Sequence, residues 1–187
     1  MNVEPLQPTL WRTCRVLANT NRLRLLAQLV RKQPQSVSEL AALVTLTLPV
    51  ASQCLRALES RGLLKVKRIR LRVEYRMPST AEAGTLADLI TALKTALGRE
   101  PIPTVRIIKL ATAFTHPSRI AIYRCLNGSR KTPMQIQSAI PISAPALSRH
   151  LGKLVARGFV ELDDVGRCTA IKHPEAIGRA LAVMASA

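Results

Sequence analysis

Leu23, Leu26 and Leu29, with Val30, fall on one face of a helix of period 3.6. Asn19 or Asn21 can cap that helix, and the pattern carries it to about Gln33. Ser36-Val-Ser-Glu39 is a capping box that opens a short helix reaching about Val44. Thr47 caps a third helix, with Pro49 tolerated in its first turn. Its apolar face is Val50, Cys54, Leu55 and Leu58, and Gly62 supplies the left-handed residue that ends it. From Leu63 to Met77 the chain is β-branched and basic, which predicts a two-stranded hairpin.

The same order returns further on. Leu55-Arg-Ala-Leu58-Glu-Ser-Arg61-Gly62-Leu63 matches Leu151-Gly-Lys-Leu154-Val-Ala-Arg157-Gly158-Phe159 at an offset of 96. Thr47 and Ser143, Pro49 and Pro145, Ser52 and Ser148, Pro78 and Pro174 keep that offset. Upstream, Arg22-Leu-Arg-Leu pairs with Arg119-Ile-Ala-Ile at 97, so one residue is gained or lost in the loop between. The second copy predicts helices over about Pro117 to Leu126, Pro133 to Ala139 and Ala144 to Arg157, the last capped by Ser143 and ended by Gly158. Its hairpin runs from Phe159 to Lys172 and turns near Asp164-Val-Gly166. Helix, short helix, helix and hairpin, twice over, predict a mainly α fold with small β-hairpin wings: tandem winged helix-turn-helix domains.

Charge narrows the partner. Lys and Arg number 28 against 11 Asp and Glu, for a formal charge of +17. Residues 1–98 hold 15 basic and 6 acidic side chains, and 99–187 hold 13 and 5, so both halves are basic. That balance predicts a polyanion, with nucleic acid ahead of an anionic membrane surface. No apolar run approaches the roughly 20 residues that span a bilayer. Met1 to Pro8 lacks the basic and apolar regions of a signal peptide, so a cytoplasmic protein is expected. Cys14, Cys54, Cys125 and Cys168 form no C-x-x-C pair and read as small buried hydrophobes rather than a disulfide framework. Aromatic residues make up 3%, too few for stacking platforms on single strands.

The segment Leu147-Ser-Arg-His-Leu-Gly-Lys-Leu-Val-Ala-Arg-Gly-Phe-Val160 resembles the recognition helix and first wing strand of ArsR-type bacterial repressors. His116-Pro-Ser-Arg119 resembles that family's opening of the preceding helix. The first copy is a looser match, through Asn19-Thr-Asn-Arg22 and Arg61-Gly62-Leu63. The resemblance implies homodimers of one such domain, joined by helices at its two ends. Here one chain carries both domains, expected at 1–98, with a pairing helix at about 81–98, and at 99–187, with its own C-terminal helix. The pairing stripes are Leu86, Leu89, Ile90, Leu93 and Leu97, closed by Gly98, and Ile177, Leu181 and Met184 within Pro174 to Ala185. Helices over about Pro8 to Leu17 and Pro103 to Ala113 complete an intramolecular pseudo-dimer, unless the stripes only pack on their own domains. The expected state is a monomer with this internal pairing, with further self-association open.

The resemblance implies a sequence-specific double-stranded DNA-binding protein. It would be a transcriptional regulator that reads a pseudo-symmetric site with two recognition helices in successive major grooves. The base-reading candidates are Ser52, Gln53 and Arg56 in the first copy and Ser148, Arg149, His150 and Lys153 in the second. Thr47 and Ser143, at helix N-termini, suit phosphate contact as well as capping. The first wing offers Lys65, Lys67, Arg68, Arg70, Arg72 and Arg76 to the phosphate backbone, with Glu74 its only acid. The second wing carries Asp163 and Asp164 at the equivalent place, with only Arg167 and Lys172, and is expected to grip weakly. Alternatives are a tandem winged-helix protein-interaction scaffold and a non-specific DNA architectural protein.

The family's usual metal site needs cysteines on the helix before the recognition helix. Glu39 to Thr45 and Gln135 to Ile140 contain neither Cys nor His, and Asp88 stands alone on its helix, so neither a metal nor another cofactor is expected. His116 and His173 read as helix-start residues. No Gly-rich phosphate loop, His-x-x-x-His helix or nucleophile elbow appears, so an enzyme is not expected.

Overall fold

A computed structural model describes residues 9–70 and 72–187. The first copy opens with α1 (Leu10–Leu17) and α2 (Thr20–Arg31), followed by β1 (Gln35–Ser36), α3 (Val37–Leu43) and α4 (Leu48–Glu59). Its wing is β2 (Lys65–Ile69) and β3 (Arg72–Arg76), and α5 (Thr80–Ala83) and α6 (Ala87–Leu97) close it. The second copy repeats the order: α7 (Thr104–Ala111), α8 (Pro117–Leu126), β4 (Arg130–Lys131), α9 (Pro133–Ala139), α10 (Ala144–Val155), β5 (Val160–Leu162), β6 (Cys168–Ala170) and α11 (Ala176–Ser186). The two antiparallel sheets have the same strand order, β1-β3-β2 and β4-β6-β5. The fold is mainly helical, with two winged helix-turn-helix copies in tandem.

Local signals explain most element ends. Asn19 accepts from the Arg22 amide at 3.0 Å, so it is Asn19 rather than Asn21 that caps α2. Ser36 with Glu39 and Thr132 with Gln135 form reciprocal capping boxes at α3 and α9. Their offset is 96, so the one-residue difference lies between Arg22 and Ser36. Gly62 and Gly158 take φ of +71° and +75° just beyond α4 and α10, the left-handed turn that a glycine makes without strain. The first helix, expected from Pro8, starts at Leu10; Pro8 and the rest of Met1 to Pro8 lie outside the described residues. The hairpins gain a third strand each, β1 and β4, which are two residues long and leave no alternation to read. On α4 the buried face is Ala51, Cys54, Leu55 and Leu58, while Val50 is 39% exposed. Small Ala51 lies against the core because it sits three and four residues before Cys54 and Leu55, whereas Val50 is turned one position out.

One hydrophobic core runs through both copies. In it, counterpart helices meet: α6 packs on α11 and α1 on α7. Helix α7 also reaches α2, and α11 reaches α1. All five expected positions of the first stripe, Leu86, Leu89, Ile90, Leu93 and Leu97, are buried. From α11, Ile177 and Leu181 are buried together with Ala180, Ala182 and Ala185, and the small side chains let the helices approach closely. Met184 is only partly buried. Arg15 of α1 donates to the Thr115 carbonyl at 3.2 Å, and Arg31 pairs with Glu100, so polar contacts cross between the halves too.

The two cores are filled differently. Leu17, Leu26 and Leu63 occupy the places where the second copy has Phe114, Tyr123 and Phe159. Those three rings meet edge to face, at centroid distances of 5.3, 4.8 and 6.2 Å. His173 packs on Phe159 with rings 4.9 Å apart, and its Nδ1 accepts from the Glu175 amide at 3.1 Å. Its ring lies against Gly178 and Gly158, so this histidine is the wedge that sets α11 against the end of α10. A Cβ at Gly178 would fall on the His173 ring. Gly178→Ala should therefore destabilise the fold by about 1–3 kcal/mol or more. In urea unfolding, adding it to His173→Ala should cost far less than adding it to the native chain.

Candidate nucleic-acid interface

The recognition helices α4 and α10 turn their leucines inward and leave a polar strip outside. Leu55 and Leu58, and Leu147, Leu151 and Leu154, are buried. Gln53 and Arg56 are exposed and Ser52 half-buried; Ser148, Arg149 and Lys153 are exposed. Isolated 12-residue helices are marginal in water, so tertiary packing of the apolar face is what holds this strip in place. Thr47 and Ser143 have the extended backbone of an N-cap, but neither side chain makes a capping hydrogen bond. Both are exposed beside the first amides of their helices, and the expected side-chain capping is absent.

His150 departs from the strip. It is half-buried, stacked on His116 with centroids 4.7 Å apart, and 3.4 Å from Nη1 of Arg119. His116 is the N-cap of α8, where its Nδ1 accepts the Ser118 amide at 3.1 Å. Burial, and then the cations Arg119 and Arg15, hold the His116 ring below its ordinary pKa.

Arg119 itself is buried, 5% exposed. Its guanidinium donates to the Ala113 and Thr112 carbonyls at 2.6 and 3.3 Å and to the Thr115 hydroxyl at 2.5 Å. Arg22 does the same work in the first copy, reaching the Arg15 and Val16 carbonyls at 3.4 and 3.3 Å. Both arginines satisfy carbonyls at the C-terminal end of the preceding helix, where no intrahelical donor is available. The internal repeat marks these two arginines without revealing that role, because the acceptors are backbone atoms.

The register of the first wing divides its cations. Lys65 faces Arg76, Lys67 faces Glu74 and Ile69 faces Arg72, all on one side of the hairpin. Val66 with Tyr75 and Arg68 with Val73 lie on the other side, where Tyr75 is buried. Arg70 sits at the tip with φ of +54°. Arg72 is held by Glu39 and Glu74, at 3.3 and 3.1 Å, and Arg76 by Glu82. Two of the six cations are therefore already paired, while Lys65, Lys67, Arg68 and Arg70 are exposed and make no ion pair among the described residues. In the second wing Asp163 accepts from the Val165 and Arg167 amides and pairs with the Arg167 side chain at 2.9 Å. Arg167, expected as a DNA contact, is thus neutralised by its own turn. Lys172 remains exposed.

Among the described residues, no three His, Cys, Asp or Glu side chains gather as a metal-binding group. No single helix among the described residues is long and apolar enough to cross a membrane. Cys14, Cys54 and Cys168 are buried and Cys125 partly so, all as free thiols. Burial pushes the Cys14 and Cys168 thiols upward and keeps them protonated.

A family profile described as "Helix-turn-helix domain" matches residues 17–67 and again residues 114–163, together just over half of the chain. The chain belongs to the helix-turn-helix family. No curated protein and no solved structure matches it. The two matches cover α2 through the start of the first wing and α8 through the equivalent part of the second. Helix-turn-helix domains of this kind are duplex-DNA-binding modules of regulatory proteins rather than enzymes.

For this helix-turn-helix pair, the wing cations should not contribute equally. Replacing Lys67, Arg68 and Arg70 by Ala should weaken duplex binding and flatten the salt slope by about 0.9 for each phosphate no longer neutralised. Arg72→Ala and Arg76→Ala together should change the slope by much less. Binding isotherms at several salt concentrations separate the two sets.

Proposed function

We propose that the protein is an ArsR-type transcriptional regulator that reads one pseudo-symmetric duplex site with α4 and α10 in successive major grooves. The observation that carries this reading is the packing of counterpart helices, α6 on α11 and α1 on α7. In a C2 dimer the same patch of each subunit meets across the axis, so elements that lie on the axis pack on their own copies. Here the same relation holds within one chain, an internal pseudo-dimer of residues 1–98 and 99–187, so the two recognition helices arrive on DNA as one unit. The +17 charge supports a cytoplasmic, nucleoid-associated role.

Within this reading, Gln53 suits adenine and Arg149 suits guanine, each through a bidentate contact in the major groove. Ser52, Arg56, Ser148 and Lys153 border them, and Thr47 and Ser143 hold phosphates. The copies are not equivalent readers, since Arg56 and Ala57 of the first stand where the second has Gly152 and Lys153. The preferred site is therefore asymmetric.

Selection from a random duplex library followed by footprinting tests this. Two protected patches should appear on one face of the duplex, centred about 10–10.5 base pairs apart. Arg149→Ala should cost about 1–3 kcal/mol and relax one half-site only. A single protected patch, or a loss spread evenly over both half-sites, would count against the paired-helix reading. Binding that is absent or insensitive to salt would remove DNA as the partner.

A further inference from the structure

The stacked histidines belong to the second copy alone. At the positions of His116 and His150 the first copy has Asn19 and Cys54. An arginine can only donate, so the contact from Arg119 Nη1 makes Nδ1 of His150 an acceptor and leaves its proton on Nε2. Nδ1 of His116 is likewise an acceptor, from the Ser118 amide. Both rings are thus neutral as they stand.

The groups that act on this pair are all positive. Arg119 approaches from α8, Arg15 from α1, and Lys153 and Arg149 from α10 itself, with no carboxylate among them. Burial comes first, and then His116, Arg119, Lys153 and Arg149, in holding His150 below its ordinary value of 6.5. Protonation of His150 would remove its acceptor atom and set an imidazolium beside a buried guanidinium. Among the described residues, no carboxylate supplies a counter-charge at this point of the recognition helix.

We propose that His150 is a proton-linked DNA contact: neutral and tucked against His116 in the free protein, protonated and turned onto a phosphate when the second recognition helix is seated on DNA. This rests on the reading that α10 enters the major groove. His150 lies on α10 between the exposed Arg149 and Lys153, so a small rotation carries its ring from the α8 side to the same anion. The phosphate supplies the missing counter-charge and raises the affinity of the ring for a proton. One proton is taken up from solvent for each complex formed. By reciprocity, whatever DNA does to the proton affinity of His150, protons do to the affinity for DNA.

The test uses the full chain and a labelled 30-base-pair duplex of mixed sequence, with affinity measured between about pH 8 and pH 6. His116, His150 and His173 are all held below the ordinary histidine value, so the unfolded chain binds more protons. Stability therefore falls as the pH drops through about 6.5, and circular dichroism confirms the fold at each pH. Affinity should rise about 5- to 10-fold on acidification, and the salt slope should steepen by about 0.9, one further phosphate contact. His150→Asn should abolish both changes, so that its affinity and salt slope are the same at pH 6 as at pH 8. His116→Asn keeps a capping side chain and removes a neighbouring titratable ring from the free state, so the rise should be smaller.

An equal rise in the native chain and His150→Asn, or no rise at all, would overturn the proposal. So would a His150 resonance that titrates at or above 6.5 in the free protein, followed by NMR. Failure to bind the duplex at every pH is a different outcome: it would remove the DNA reading, and this inference with it.

Discussion

The seam between counterpart helices is what the rest of the molecule depends on. Each copy spans roughly 90 residues, a size at which a single core is only marginally sufficient. The leucines and isoleucines of α6 are covered by α2 and α5 of their own copy and by α11 of the other, and α11 is buried in return. Each fully buried Leu or Ile contributes up to about 1.5–3 kcal/mol. The stripes on α6 and α11 thus make one hydrophobic core out of two small ones. Half-buried Arg22 and buried Arg119 tie the first helix of each copy to its helix-turn-helix.

Joining both copies in one chain frees them to diverge. A homodimer has to present identical surfaces twice, whereas here only the seam and the helix scaffold are under common constraint. The scaffold is retained down to capping boxes, arginine staples and left-handed glycines. The surfaces are not. Lys65, Lys67 and Arg68 of the first wing stand where the second has Glu161, Asp163 and Asp164. The cores also differ, with leucines in one and an aromatic cluster in the other, which shows that similar volume and apolar character suffice to hold the same backbone.

Much of the fold is legible because it rests on local chemistry. Capping boxes, prolines in first turns and glycines after helices act within a few residues, and the leucine spacing announces each buried face. What escapes has a tertiary cause. Strands β1 and β4 are too short to alternate and exist only because β3 and β6 offer them an edge. Val50 and Ala51 trade places because rotation of α4 about its axis is set by what it packs against. Within the candidate site, exposure of Gln53, Arg56, Arg149 and Lys153 follows from helix periodicity. The tucked position of His150 does not, since it depends on His116 and Arg119, more than 30 residues earlier. Nor could the pairing of Arg72 with Glu39 and of Arg76 with Glu82 be read from the run of charges, because those two partners sit outside the wing.

Those pairings bear on what a charge of +17 means. Summed charge sets the long-range field, and with it the rate at which the protein meets a polyanion. It does not set how firmly the protein grips, because an arginine already held by a carboxylate gains less from a phosphate than an unpaired one. Both copies are nearly equal in net charge, yet among the described residues the first wing keeps four unpaired cations while the second wing neutralises its own arginine. Steering is therefore shared between the copies and gripping is not. On the proposed reading, in which both recognition helices are fixed to one core, a firm grip by the first wing would be enough to hold α10 near its groove. The second copy could then carry weaker, condition-dependent contacts without losing its place on the duplex.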